Sequence, residues 1–220
     1  MNDTVWLFDL DNTLHNADAG IFRLINRCMT TQMAEQLNLS AEEASHLRQD
    51  YWHRYGATIA GLQMHHPEID IPEFLHLSHP LDEILAVLTP IAGTHAALGR
   101  LKGRKCVFSN GPSFYVQALI TALGLQDVFE RLAGTDDFGL LYKPNPQAYL
   151  TVCQLLDTPP ENCIMVDDSA DNLHAAKALG MRTVWFGAHA HPLPFVDCAA
   201  TDMATLAAWG EQQPQHLITT

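Results

Sequence analysis

Four short apolar runs, each ending abruptly at a polar cluster, constrain this chain more than any other feature. Val5-Trp6-Leu7-Phe8 stops at Asp9, and Lys105-Cys106-Val107-Phe108 stops at Ser109-Asn110-Gly111. Cys163-Ile164-Met165-Val166 stops at Asp167-Asp168-Ser169, and Thr183-Val184-Trp185-Phe186 stops at Gly187. A short apolar run without alternation is the pattern of a strand covered on both faces. Between the runs the period becomes helical, over about Thr94 to Leu101, Ser113 to Leu123, Pro146 to Leu156 and Ala170 to Leu179. Ser113 and Asn145 stand where N-caps belong, and Gly124 and Gly180 where helices end. Strands alternating with helices predict an α/β fold, a Rossmann-like parallel sheet with right-handed crossovers.

Residues 17–88 interrupt this alternation. Their apolar positions recur at helical spacing, first at Ile21, Leu24, Ile25, Cys28 and Met29, then at Ala44, Leu47, Tyr51 and Tyr55. Ser40 followed by Glu43 is a capping box for the second of these helices. Pro67, Pro72 and Pro80 divide the remainder into shorter helices and loops. The expectation is an all-helical cap over residues 17–88, inserted after the first strand and folding over the sheet's ligand edge. The core is then built from residues 1–16 and 89–220. The segment after Trp209, with Gln212, Gln213, Pro214 and Gln215, is expected to be loose.

At 220 residues the chain can bury one sizeable core with a small cap. Its formal net charge of -13 opposes binding to nucleic acid or to an anionic membrane. An anionic substrate then needs a local cation, from a metal or a few placed basic groups. Met1-Asn2-Asp3-Thr4 is not the basic start of a secretory signal. No apolar run approaches the ~20 residues of a membrane span. The five cysteines, Cys28, Cys106, Cys153, Cys163 and Cys198, are dispersed without a C-x-x-C pair. That usage fits reduced, mostly buried thiols and a cytoplasmic location.

Ligands of open parallel sheets bind outside the carboxyl ends of the strands. Asp9, Asp11, Ser109, Asn110, Asp167 and Asp168 therefore converge on one crevice, although they are far apart in sequence. Four acids in one crevice repel one another unless a cation is present. Hard oxygen ligands of this kind suit Mg²⁺, which takes few carboxylates together with waters and phosphate oxygens. Asp11-Asn12-Thr13 alone could be simple turn chemistry, but that does not account for the second acidic pair. Lys143, between Leu140-Leu141-Tyr142 and Pro144-Asn145-Pro146, is placed to offset charge on a phosphoryl group. The Ser109 hydroxyl and the amides of Asn110 and Gly111 could cradle its oxygens. The histidines do not have zinc-ligand spacing: His65 and His66 are adjacent, and His189 and His191 precede a proline.

These residues, in order, resemble the haloacid dehalogenase-like hydrolase superfamily. The motifs are Phe8-Asp9-Leu10-Asp11-Asn12-Thr13-Leu14, Phe108-Ser109-Asn110-Gly111, Lys143-Pro144 and Val166-Asp167-Asp168-Ser169. Asn172, Ala176, Lys177, Leu179 and Gly180 fit the helix that follows. The resemblance implies that Asp9 attacks phosphorus to form an aspartyl-phosphate. Asp11 would protonate the leaving oxygen and later take a proton from water. Asp9, the Asp11 carbonyl and Asp168, with Asp167 directly or through water, would hold Mg²⁺, and Ser109 and Lys143 the transferring group. The dehalogenase branch lacks the second aspartate, which disfavours carbon–halogen chemistry.

The insert is similar to the cap of the pyrimidine 5'-nucleotidase branch. The similarity runs through Leu47-Arg48, Tyr51 to Thr58, Ile59-Ala60-Gly61-Leu62, His65, Ile69-Asp70 and Phe74-Leu75. Two positions depart from that branch: His15 stands where a tyrosine is usual, and Ser109 where threonine is common. Candidate specificity residues are His15, Asn16, Arg48, Tyr55, Thr58 and His65, although Tyr51 and Tyr55 lie one turn apart and could simply pack. The expected activity is Mg²⁺-dependent hydrolysis of a small phosphorylated metabolite, a pyrimidine nucleoside 5'-monophosphate first. The alternatives are a broad sugar-phosphate or phosphoglycolate phosphatase, a phosphomutase, or a non-catalytic binding protein.

Overall fold

The computed structural model describes residues 4–213. The chain divides into two compact units, Met1–Asn16 with Thr89–Thr220, and Ala17–Leu88. In the first unit the strands are β1 (Val5–Phe8), β2 (Arg104–Phe108), β3 (Arg131–Ala133), β4 (Cys163–Asp167), β5 (Arg182–Phe186) and β6 (Cys198–Ala200). They form one parallel sheet in the order β3-β2-β1-β4-β5-β6. β1 lies in the middle, with Val5 opposite Arg104 of β2 on one side and Cys163 of β4 on the other. Every residue of β1 and β4 is buried, because helices cover both faces of a parallel sheet. The order reverses at β1, so the crevice at the carboxyl ends of β1, β2 and β4 is the switch point where ligands bind.

The second unit is helical: α1 (Ile21–Leu37), α2 (Ala41–Tyr55), α3 (Thr58–His65), α4 (Ile71–Ser78) and α5 (Leu81–Ala86). α1 buries Ile21, Ile25 and Met33 along one stripe. α2 begins at the expected capping box: the Glu43 amide donates to Ser40 Oγ at 3.2 Å, and the Ser40 amide to Glu43 Oε2 at 2.9 Å. α4 is capped by Asp70, which accepts from the Glu73 amide at 3.0 Å.

Back in the first unit come α6 (Thr94–Arg100), α7 (Ser113–Ala122), α8 (Pro146–Leu155), α9 (Ala170–Ala178) and α10 (Met203–Gly210). Asn145 caps α8 as expected, accepting from the Gln147 amide at 2.9 Å. Ser113 does not cap α7. Pro112 holds the cap position, and the Ser113 amide (2.7 Å) and hydroxyl both donate to Asp136. A carboxylate from the 3-10 turn Thr135–Phe138 thus supplies the cap from outside the helix.

The chain leaves the sheet unit and re-enters it at one seam. The Asn16 amide donates to the Thr89 carbonyl at 2.8 Å, and His15 forms a bridge to Pro90. At the other end, Gln213 is not loose: its amide group donates to the Trp209 carbonyl at 3.0 Å and accepts from Arg182 at 3.1 Å. Pro214 and Gln215 lie outside the described residues. All five cysteines are free thiols. Among the described residues no helix is long and apolar enough to cross a membrane.

Candidate active site

Asp9 is the residue that follows β1, and its amide still pairs with the Val166 carbonyl of β4 at 2.9 Å. The backbone then turns through Asn12, which has φ 59°, and closes with Leu14 bonded to the Leu10 carbonyl at 2.9 Å. This tight loop carries Asp9 and Asp11. Lys143 reaches Asp9 from the far side of the crevice. Its Nζ donates to Asp9 Oδ1 at 2.7 Å and to Asp167 Oδ2 at 2.8 Å, with 1% of the residue exposed. The same ammonium lies 5.0 Å from the centre of the Phe108 ring.

The Lys143 backbone is clamped by the Asn110 side chain. The Lys143 amide donates to Asn110 Oδ1 at 2.8 Å, and Asn110 Nδ2 donates to the Lys143 carbonyl at 2.9 Å. Asn110 therefore holds the lysine, while Ser109 lies fully buried beside it. The Ser109 amide is used by the sheet, donating to the Ala133 carbonyl at 3.0 Å. Its Oγ accepts from the Gly111 amide at 3.0 Å, so of the expected phosphoryl donors that amide is already engaged. Glycine is required at 111, since a Cβ there would stand 2.7 Å from the Tyr115 ring.

Asp167 is fully buried and accepts on both oxygens: from the Ser169 amide at 2.9 Å, from Asn172 Nδ2 at 3.0 and 3.1 Å, and from Lys143. Asp11 lies slightly apart from this group. Its Oδ1 accepts from the Tyr115 hydroxyl at 2.5 Å and pairs with His15 Nε2 at 3.0 Å. The sequence pattern marks Asn172 only as part of the helix after the last motif and does not single out Tyr115. The signal for Tyr115 is a phenol on the apolar stripe of α7, one turn past Ser109-Asn110-Gly111.

One ammonium faces four carboxylates, and the electrostatics record the deficit. Burial pushes the Asp9 carboxyl well above the ordinary carboxylate range; Lys143 opposes this, and Asp167, Asp168 and Asp11 add to it. Burial and then Asp167 push Asp168 up to about 7, against Lys143 and a bond from Asn12. Burial alone would lower the Lys143 ammonium, but Asp167 and Asp9 more than reverse it, so the charge is retained. Asp9, Asp167 and Asp168 each offer an oxygen, all within 4.8 Å of one another. Asp168 makes no ion pair among the described residues. These hard donors with an unmet negative charge fit a divalent cation such as Mg²⁺.

Tyr55, Thr58, Arg48 and His65 belong to the helical unit, where their polar groups bond to one another or to near neighbours. The Tyr55 hydroxyl pairs with His65 Nε2 at 2.6 Å, and the buried Thr58 hydroxyl donates to the Arg48 carbonyl at 3.1 Å. The Arg48 guanidinium donates to Asn26 at 2.7 Å and Thr30 at 3.2 Å. His15 is fully buried on Asp11, and Asn16 is exposed.

Carboxylates and one lysine gathered at the switch point of a parallel sheet define a class, an α/β fold with an acidic cluster at its strand ends that fits a divalent cation. Residues 5–180 match the family described as haloacid dehalogenase-like hydrolase, and the chain belongs to that family. It is 32% identical over 81 residues to a phosphoglycolate phosphatase of Colwellia psychrerythraea, covering 37% of this chain and 35% of that one. It is 30% identical over 121 residues to a 6-phosphogluconate phosphatase of Escherichia coli, covering 54% of each. These matches thus span only about a third to a half of the relatives' length. A HAD phosphatase from Thermococcus onnurineus has the same fold, with TM-score 0.69 and 20% identity over 94% of this chain and 97% of that one.

Proposed function

We propose that this protein is a phosphomonoesterase acting on small phosphorylated metabolites of the sugar-phosphate or phosphoglycolate kind. The observation that carries this reading is the buried Lys143 ammonium held between Asp9 and Asp167, with Asp168 beside them at the strand ends. The relatives named above, by their names, act on phosphoglycolate and 6-phosphogluconate, which supports the broader substrate class over a pyrimidine nucleotide. The pyrimidine reading rests on the insert's similarity alone and stands second.

In this reading Asp9 is the nucleophile. Its Oδ1 is held by Lys143, and an Asp9 oxygen bonds to phosphorus as the ester oxygen departs, giving an aspartyl-phosphate. Asp11 gives its proton to that oxygen and then takes one from the water that hydrolyses the intermediate. Lys143 and the Ser109 hydroxyl hold the transferring oxygens, and Asn110 keeps Lys143 in place. Asp9, Asp168, Asp167 and the Asp11 carbonyl would hold Mg²⁺, with Asp9 and Asp168 receiving fewer donors than Asp167. Bound there, the ion supplies charge neutralisation for the phosphoryl oxygens.

The test is phosphate release from a panel at fixed Mg²⁺: phosphoglycolate, 6-phosphogluconate, hexitol phosphates, UMP, CMP and AMP, with Asp9→Asn as the blank. The expected result is a lead in kcat/KM among the non-nucleotide substrates and no turnover by Asp9→Asn. A lead for UMP and CMP would instead restore the pyrimidine reading. Wild-type turnover by Asp9→Asn would remove Asp9 from its role.

A further inference from the structure

Asp11 is held in a way that the reaction outlined above does not by itself require. Its Oδ1 receives two neighbours at once, the Tyr115 hydroxyl at 2.5 Å and His15 Nε2 at 3.0 Å. Both are fully buried. We infer that His15 and Tyr115 are positioning residues that fix the Asp11 carboxyl so that Oδ2 exchanges its proton with the leaving oxygen. The inference rests on the phosphomonoesterase reading and adds to it the device that aims its acid.

Each holder is itself fixed. His15 is four residues from Asp11, and its backbone is bridged to Asp11 on one side and to Pro90 on the other. Tyr115 stands in the first turn of α7, its ring against Gly111, where no Cβ would fit. Burial first, and then Asp11, keep the Tyr115 phenol well above its ordinary pKa, so it remains a donor. His15 pairs with Asp11 through Nε2, and its Nδ1 is buried with no partner among the described residues. A buried ring nitrogen left unpaired is unfavourable, and an apolar side chain of similar size would fill this place without it. The histidine is thus accounted for by the bond it makes to Asp11.

The holders also suit a group that must alternate between acid and base. A lysine or arginine on Asp11 would favour the carboxylate throughout. Two groups bonded to one oxygen orient the carboxyl and leave Oδ2 to carry the proton. In the transfer, an Asp9 oxygen bonds to phosphorus and the ester P–O bond breaks with its electron pair going to the leaving oxygen. The proton on Asp11 Oδ2 passes to that oxygen, leaving an alcohol and the Asp11 carboxylate.

The experiment compares two leaving groups in kcat/KM, which reports only the steps up to departure of the alcohol. Glycerol 2-phosphate needs a proton on its leaving oxygen, whereas p-nitrophenyl phosphate does not. Tyr115→Phe and His15→Leu are expected to lower kcat/KM for glycerol 2-phosphate by about 10–100-fold, and for p-nitrophenyl phosphate by less than about 3-fold. His15→Gln, which can place an amide donor near the Nε2 position, should recover part of the loss. Equal losses on both substrates, or no loss on either, would overturn the positioning role. Should His15→Leu fail to fold by circular dichroism, Tyr115→Phe and His15→Gln decide on the same ratio. Asp9→Asn run alongside separates the two levels: activity in that variant defeats the phosphomonoesterase reading, whereas a loss indifferent to leaving group defeats only the inference about Asp11.

Discussion

At the scale of single residues, Lys143 and Asp168 are opposite cases. Lys143 is buried between two carboxylates, so removing it strands both. Lys143→Met is expected to cost about 3–5 kcal/mol at neutral pH, the range for breaking a buried pair. Much of that cost should return on mild acidification, as the stranded acids take up protons. Urea melts at pH 5.5 and 7.5 measure both numbers, and a pH-independent loss would contradict the pairing. Asp168 is costly in the other direction. Its carboxyl sits at about 7 in the fold, above the ~4 of an unfolded chain. Between those values the folded state holds a proton that the unfolded state lacks, so this group's contribution to stability declines as pH rises towards 7. Asp168→Asn should therefore stabilise the metal-free protein at pH 7.5 by roughly 1–3 kcal/mol, the range for relieving a poorly satisfied buried polar group. The advantage should shrink towards pH 4, as thermal melts in EDTA will show.

At the scale of elements, the capping of α7 from outside is the contact most open to test. Asp136→Ala leaves the Ser113 amide and hydroxyl without their partner. It should cost about 1 kcal/mol and lower the Tm by about 2–4 °C in a chain of this size. An unchanged Tm would mean that solvent caps this helix equally well. The elements also mark how far the fold can be read from the chain. β1, β2, β4 and β5 are legible because the buried centre of a parallel sheet demands uninterrupted apolar residues. β3 and β6 are not, since Arg131–Ala133 and Cys198–Ala200 are three residues each and too short to carry a period. Asp9, Asp11, Asp167 and Asp168 are legible because each ends or closely follows an apolar run, and the carboxyl ends of parallel strands lie on one edge of the sheet. The bonds of Asp11 to Tyr115, and of Asn110 to the Lys143 backbone, join residues 104 and 33 positions apart. No local pattern encodes such pairings; only the sheet order brings them together.

At the scale of the whole molecule, the excess of carboxylates at the strand ends predicts that stability depends on a divalent cation. Mg²⁺ at about a hundredfold excess over its Kd should stabilise the fold by about 2.7 kcal/mol. Metal ligands must be deprotonated, so the gain should weaken as pH falls through about 7, where Asp168 takes a proton. Asp168→Asn should abolish most of it. Thermal melts with and without Mg²⁺ across this range provide the check, and coincident curves at pH 8 would argue against a metal at this position.

The seam at Asn16 and Thr89 has a consequence of another kind. Departing and returning chain are stitched together at residues 15 and 16 against 89 and 90, so the segment between them begins and ends at one place in the first unit. The intervening segment can be lengthened, shortened or traded as a single cassette by recombination at codons 16 and 89. The stitch then closes as before, and the loop from Leu10 to Leu14 keeps its register. A gene organised this way allows the helical segment to vary while the strands and the loop that carries Asp9 and Asp11 are inherited intact.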